Sequence, residues 1–276
     1  MALTKPRILV MVLLTAAVGV ALAPTAVGWG RLVHILVGIA ALVAAANTLN
    51  CWLERDVDGL MARTAHRPLP AGRMAPRVAL GMGLVLSAIA VAWLTLALNT
   101  LTGVLGAFAL MTYVVLYTPM KMRSPMALWV GAVPGAMPPL LGVTAAHGQL
   151  TPMALCLFAL MFCWQIPHFI AIAIFRAEDY RRAGMPVPNL AWGRRLAKVQ
   201  ALLYALVLIP LSLWPVAFGA ARGFYGLCAL LLSLAFSAVA ALGFRGQDDA
   251  RWARQLFFAS LLYLPLILGL LVLDAR

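Results

Sequence analysis

The chain has 276 residues, 64% of them hydrophobic and only 11% charged, with a mean hydropathy of +0.97. A soluble domain is excluded, because apolar runs of about 20 residues, the length that crosses a bilayer as a helix, recur from end to end. The 21 Lys and Arg residues outnumber eight acids to give a net charge of +13. They flank the apolar runs instead of lining a soluble face, which excludes nucleic-acid binding. Cys51, Cys156, Cys163 and Cys228 show no CxxC spacing, and three lie within apolar runs; they read as packing residues, not as a metal or disulfide framework.

In chain order, nine spans are expected, at about 8–27, 31–51, 77–97, 101–118, 126–146, 152–175, 199–219, 223–244 and 252–273. The first follows Lys5 and Arg7 and contains Ala21-Leu22-Ala23, which mimics a cleavage site, but its length favours a retained span over a signal peptide. Lipid tolerates no open backbone groups, so each span is expected to be a helix and the chain an all-α polytopic membrane protein. Pro134, Pro138, Pro139, Pro167, Pro210, Pro215 and Pro265 are expected to kink or interrupt these helices.

Eighteen of the 21 basic residues fall at the N-terminus, in the even-numbered loops or within the first residues of the spans that follow those loops, which places the N-terminus and those loops in the cytoplasm and the C-terminus outside. Seven of the eight acids lie on the same side: Glu54, Asp56, Asp58, Glu178, Asp179, Asp248 and Asp249. Basic loops are ordinary topology, but acids gathered in the two longest loops, 52–76 and 176–198, have no topological reason to exist. Those loops are read as functional. They stand four spans apart, suggesting a weak repeat of spans 1–4 and 5–8 around a shared cavity.

If the second helix runs on past residue 50, Asn50, Glu54 and Asp58 fall at i, i+4 and i+8 on one face. Asp56 then points roughly 200° away from Glu54, and its charge is either a ligand or the partner of Arg55. Three oxygen-bearing side chains on one stripe can hold a hard cation such as Mg²⁺. Carboxylates and a diphosphate repel each other unless a cation lies between them. A site of Glu54, Asp58 and Asp179 beside Arg63, Arg67 and Lys121 therefore makes sense if Mg²⁺ bridges the acids to a diphosphate whose oxygens the basic groups hold. At a membrane surface, that diphosphate would carry a lipid-soluble tail. Neutralising Glu54 or Asp58 is expected to remove activity with little loss of expression, since both are read as lying outside the lipid-packed cores.

Asn50-x-x-x-Glu54-x-x-x-Asp58, running on into Arg63-Thr64-x-x-Arg67-Pro68-Leu69, resembles the first aspartate-rich motif of the UbiA-type intramembrane prenyltransferases. Tyr117-Thr118-Pro119-Met120-Lys121, the segment Gly131–Leu140, Trp164-Gln165-Ile166-Pro167-His168-Phe169 and the stretch from Ala171 to Tyr180 make it most similar to the heme-farnesylating branch. The resemblance is dense over residues 50–186 and elsewhere rests on span count alone. It implies a UbiA-like fold of nine helices around a central cavity, a single prenyltransferase domain over 1–276, and farnesyl transfer from farnesyl diphosphate to a vinyl group of heme b, giving heme o. It further implies Mg²⁺ as cofactor, with Asn50, Glu54, Asp58 and Asp179 catalytic, joined by Glu178 in holding the metal. Arg63, Arg67, Lys121, His168, Arg176 and Tyr180 would bind substrate. The setting would be a bacterial inner membrane, and the product would pass to a heme a synthase or a terminal oxidase assembly. The second motif departs from the family's Asp-x-x-x-Asp spacing, with Arg176, Glu178, Asp179 and Tyr180 in its place.

His168, beside Pro167 near the end of span 6, has two readings: a heme-iron ligand, or a hydrogen-bond partner for a neighbouring helix. Trp52 and Trp164 read either as interfacial anchors or as substrate-stacking rings. Two other functions fit parts of the pattern. The same chemistry could act on an aromatic quinone precursor, against which the segment 164–180 argues. A transporter would share the broken helices, but it would need ionisable residues at the span centres, where this chain has none.

Overall fold

The structure, a computed structural model, describes residue 3 and residues 6–61, 64–246 and 248–275, with only the backbone given for Pro6 and Arg7. All regular structure among them is helical. The helices are α1 (Pro6–Ala21), α2 (Trp29–Leu53), α3 (Arg55–Asp58), α4 (Pro76–Trp93), α5 (Thr100–Met111), α6 (Thr118–Met120), α7 (Ala127–His147), α8 (Pro152–Phe175), α9 (Ala177–Arg182), α10 (Pro188–Ala191), α11 (Arg194–Ala217), α12 (Gly223–Ala241) and α13 (Asp249–Asp274). A wide π turn, Leu94–Leu98, extends α4, and a second, Thr112–Tyr117, joins α5 to α6.

Among the described residues, eight helices are long and apolar enough to cross a membrane: Trp29–Leu53, Pro76–Leu98, Thr100–Met120, Ala127–His147, Pro152–Phe175, Arg194–Ala217, Gly223–Phe244 and Asp249–Asp274. This corrects the count of nine. The first expected span is an apolar helix of only 16 residues, about 24 Å at 1.5 Å per residue. It stops at Ala21 because Pro24 follows and cannot continue a helix. The chain is nonetheless a multi-pass membrane protein, and α1 belongs to its core. Gly19 and Gly142 let α1 and α7 touch backbone to backbone: a Cβ on Gly19 would strike the carbonyl of Pro139, and one on Gly142 that of Ala16. Small residues at such crossings are the membrane's substitute for a hydrophobic driving force.

α7 and α8 lie at the centre. Residues 136–146 of α7 are buried without a break, and most of α8 is buried too. α7 packs on α1 and α8, while α8 also packs on α11 and α13; α2 pairs with α4, and α12 with α11 and α13. All seven prolines named above sit inside continuous helices, so none interrupts a span. Outward residues such as Val85, Leu96, Val104 and Leu262 are exposed apolar side chains, the surface a bilayer covers. Between helices, a hydrogen-bonded chain from Ser212 through Ser233 to Tyr263, 3.0 Å at each step, ties α11, α12 and α13 together.

The connections following α2, α6 and α8 meet at one end. Met61, Ala183 and Met185 form a buried apolar cluster there, with Val57, Met122 and Tyr180 packed against it.

Candidate active site where three loops meet

The stripe on α2 survives the end of that helix. Glu54 adopts φ −89° and ψ 3°, a small break. Even so, its N–H donates to Asn50 O at 2.9 Å, and the Asp58 N–H donates to Glu54 O at 2.7 Å. The i, i+4 ladder therefore carries Asn50, Glu54 and Asp58 down one face, where they are 1%, 5% and 1% exposed. The Asp56 side chain points out, 82% exposed, and lies 3.5 Å from Arg55. Arg55 also donates to Trp52 O and sits over the Trp52 ring, so a local pairing accounts for both charges of this dipeptide.

Burial of Glu54 and Asp58 corrects the expectation that they lie outside the packed interior. Each meets a base. Lys121 Nζ donates to Glu54 Oε1 at 3.0 Å, and Arg67 Nη1 donates to Asp58 Oδ2 at 2.6 Å. Burial works against a charged Lys121, but Tyr117, the Glu54 carboxylate and its hydrogen bond outweigh that and raise the ammonium's pKa above its ordinary value. The second oxygen of Asp58, Oδ1, is buried and has no hydrogen-bond partner among the described residues.

Lys121 is delivered by the π turn. Pro119 has no N–H to give to the preceding turn, so the helix widens there. The N–H of Thr118 reaches back five residues to Tyr113 O, and its hydroxyl donates to the same carbonyl at 2.8 Å. The Thr118 oxygen then accepts Asn50 Nδ2 at 3.1 Å, which fixes the first member of the stripe. On the other side, the Thr64 hydroxyl donates to Asp58 O at 2.7 Å and ties the loop to the stripe's last member.

The second loop is more open. Glu178 is 57% exposed and holds Arg181 at 2.6 Å and Arg182 at 3.1 Å. The Arg182 hydrogen bond, opposed by slight desolvation and aided by Arg181, keeps its carboxyl below the usual range. Asp179 is 35% exposed and 3.6 Å from Arg176. Tyr180 joins the apolar cluster that meets the first loop. Ile172, Phe175, Arg176, Asp179, Tyr180 and Phe257 line a pocket of about 200 Å³. His168 lies buried beside this pocket's Phe257, whose ring centroid is 4.9 Å away. Its Nδ1 is 2.7 Å from Ser260 Oγ, and the Trp164 indole donates to Ser260 O at 2.8 Å.

Lys121, Arg67, Glu54, Asp58 and Asn50 are thus brought together, and Tyr180 arrives from the second loop. Glu178 faces solvent, and Arg63 lies outside the described residues. No three His, Cys, Asp or Glu side chains gather as a ready metal cage among the described residues. Sequence reasoning missed Thr118, Thr64 and Ser260. Thr118 could have been suspected from the proline that follows it. Ser260 could have been suspected as a lone hydroxyl between Phe257 and Tyr263.

The model of the UbiA prenyltransferase family matches residues 12–262. The chain is 47% identical over 274 residues to the protoheme IX farnesyltransferase of Anaeromyxobacter sp. (strain Fw109-5), covering 99% of this chain and 92% of that one. Among solved structures, a digeranylgeranylglyceryl phosphate synthase superimposes with a TM-score of 0.86 at 13% identity, over 99% of this chain and 96% of that one. A UbiA homologue from Archaeoglobus fulgidus bound to GPP and Mg²⁺ gives 0.71 at 18% identity, over 98% of both chains. These two likenesses establish the fold.

Proposed function

Because the chain belongs to the UbiA prenyltransferase family, we propose that it transfers the farnesyl group of farnesyl diphosphate to a vinyl carbon of heme b, giving heme o. One observation carries the reading: the buried acids Glu54, just past α2, and Asp58, at the end of α3, lie against Lys121 and Arg67 where the three connections meet, a mixture suited to a diphosphate with its counter-ion. The identity to a protoheme IX farnesyltransferase over nearly the whole chain supplies the acceptor.

The residues fit a divalent cation. Asp58 presents a buried carboxylate oxygen that nothing else satisfies, and a group of that kind is costly to leave unmatched. The lack of a three-acid cage is compatible, since Mg²⁺ usually takes one or two carboxylates and completes its shell with water and substrate phosphates. Asn50, Glu54 and Asp58 would hold it, with Asp179 reaching from the second loop; Glu178, turned to solvent and held by Arg181 and Arg182, would not. The ion would supply neutralisation of charge on the departing diphosphate.

Lys121, Arg67 and Arg63 bind the phosphate oxygens, and the Glu54 carboxylate beside Lys121 favours its charged form. Thr118 orients Asn50. The apolar cluster of Met61, Ala183 and Met185, against which Val57 and Met122, the neighbours of Asp58 and Lys121, pack, would limit water beside the site. In the reaction the farnesyl C–O bond breaks and diphosphate leaves with the electron pair. The vinyl's terminal carbon bonds to the allylic carbon, and water adds to the inner carbon with loss of a proton. His168, Arg176 and Tyr180 line the acceptor side.

The whole chain acts as one catalytic domain in a bacterial inner membrane and hands its product to a heme a synthase or oxidase assembly; the expected placement of the two termini on opposite sides required nine spans and does not follow from eight. Chain embedded in nanodiscs with heme b, farnesyl diphosphate and Mg²⁺ should yield heme o by mass spectrometry. EDTA should abolish the product and excess Mg²⁺ restore it. Product from a quinone precursor but none from heme b would overturn the acceptor assignment.

A further inference from the structure

His168 is held by more than packing. Trp164 and Phe257 stack on its ring, each at 4.9 Å between centroids and tilted by 23° and 31°. Ser260, fully buried on α13, touches the assembly twice: its carbonyl accepts the Trp164 indole N–H at 2.8 Å, and its hydroxyl lies 2.7 Å from His168 Nδ1.

Counting protons decides the direction of the second contact. A serine hydroxyl has one proton, and here it goes to the Phe257 carbonyl at 2.6 Å, which can only accept. The bond to His168 must therefore be donated by the imidazole from Nδ1. No carboxylate contacts the ring among the described residues, and a buried ring without one is carried neutral, with a single N–H. The lone pair is left on Nε2, which makes no hydrogen bond among the described residues.

We propose that Ser260 is a positioning residue that locks His168 in its Nδ1-protonated tautomer, so that Nε2 presents its lone pair to the iron of the heme acceptor. This rests on the heme-acceptor reading above. A hydrogen bond at one ring nitrogen is what ordinarily sets which nitrogen ligates a metal and how basic it is. The Ser260 carbonyl adds a second constraint by holding the indole that stacks on the imidazole.

The test uses the full chain in nanodiscs. Ferric heme b should bind with a histidine-ligated absorption spectrum that His168→Ala abolishes. Ser260→Ala should weaken heme binding about tenfold, the lower range for loss of an outer partner, and Ser260→Thr should restore it. In heme-free protein labelled with ¹⁵N-histidine, the His168 signal should show a bare Nε2, and Ser260→Ala should spread it over both tautomers. The proposal fails if wild-type His168 carries its proton on Nε2, or if Ser260→Ala binds heme within twofold of wild type while still folded. Heme o formation by the same preparations separates the two ideas. Product from wild type with an unchanged Ser260→Ala spectrum overturns only the positioning role, whereas no product from wild type overturns the reading beneath it.

Discussion

The two acidic loops are built differently. In the first, the carboxylates are sealed in: Glu54 is 5% and Asp58 1% exposed, and each is already matched to a base that is itself mostly covered. In the second, Glu178 and Asp179 stand 57% and 35% exposed on the single short helix α9, with arginines from their own turn. Ion pairs of the second kind contribute little, because water screens them. Those of the first kind are consequential when broken, since the remaining charge is stranded. The first loop is a preformed charge frame, and the second closes over it through Tyr180, Ala183 and Met185.

The largest effect should come from the first loop. Asp58→Asn is expected to cut heme o formation by about 10²–10³-fold, the scale of losing one preorganised electrostatic partner. Glu54→Gln should do likewise, and should also destabilise by about 3 kcal/mol because Lys121 loses its buried partner. Unfolding in detergent measures the second effect. Pairing Glu54→Gln with Lys121→Met should recover most of that stability while leaving the chain inactive. If Glu54→Gln unfolds no more easily than wild type, the contrast between the loops is wrong.

That stability cost is where sequence reasoning fell short. The stripe Asn50, Glu54, Asp58 was legible because i, i+4 spacing is local and the backbone ladder persists past Glu54. The outward turn of Asp56 followed from the same geometry. Lys121 was expected in the same site as Glu54, and a hydrogen bond to a neighbouring helix was one reading of His168; what could not be read was that Glu54 and Lys121, 67 residues apart, pair directly, or that the partner of His168 is Ser260, 92 residues away. Hydropathy sees neither, since it scores each residue without its partner. Hydropathy also overran the first helix: it counted apolar residues up to 27, whereas the proline at 24 ends the helix sooner. The π turn before Lys121 left a trace only in Pro119, and a proline alone does not distinguish a widened turn from a kink.

Smaller changes belong to the second loop. Asp179→Asn should reduce turnover about tenfold, as expected for one partly screened charge near a charged substrate. Glu178→Gln should leave turnover within about twofold, because its charge is held at the surface by two arginines. A loss from Glu178→Gln matching that of Asp58→Asn would mean that both loops hold the leaving group equally, and the comparison would collapse.

The least effect is the most specific. The carboxyl of Glu178 is held below its usual range chiefly by Arg182, so the folded form binds its proton less readily than the unfolded chain does. Its contribution to the order of α9 is therefore fully present above the ordinary glutamate value near 4.5 and is lost as pH falls through the lower folded one. Between pH 7 and 5, amide exchange across residues 177–183 should not change beyond its intrinsic pH dependence, and protection should decline only in more acidic solution. Glu178→Gln should show the reduced protection at every pH. If protection of α9 instead fell between pH 7 and 6, a group other than this carboxylate would be holding the helix, and the second loop would be coupled to the buried frame more tightly than its exposure implies.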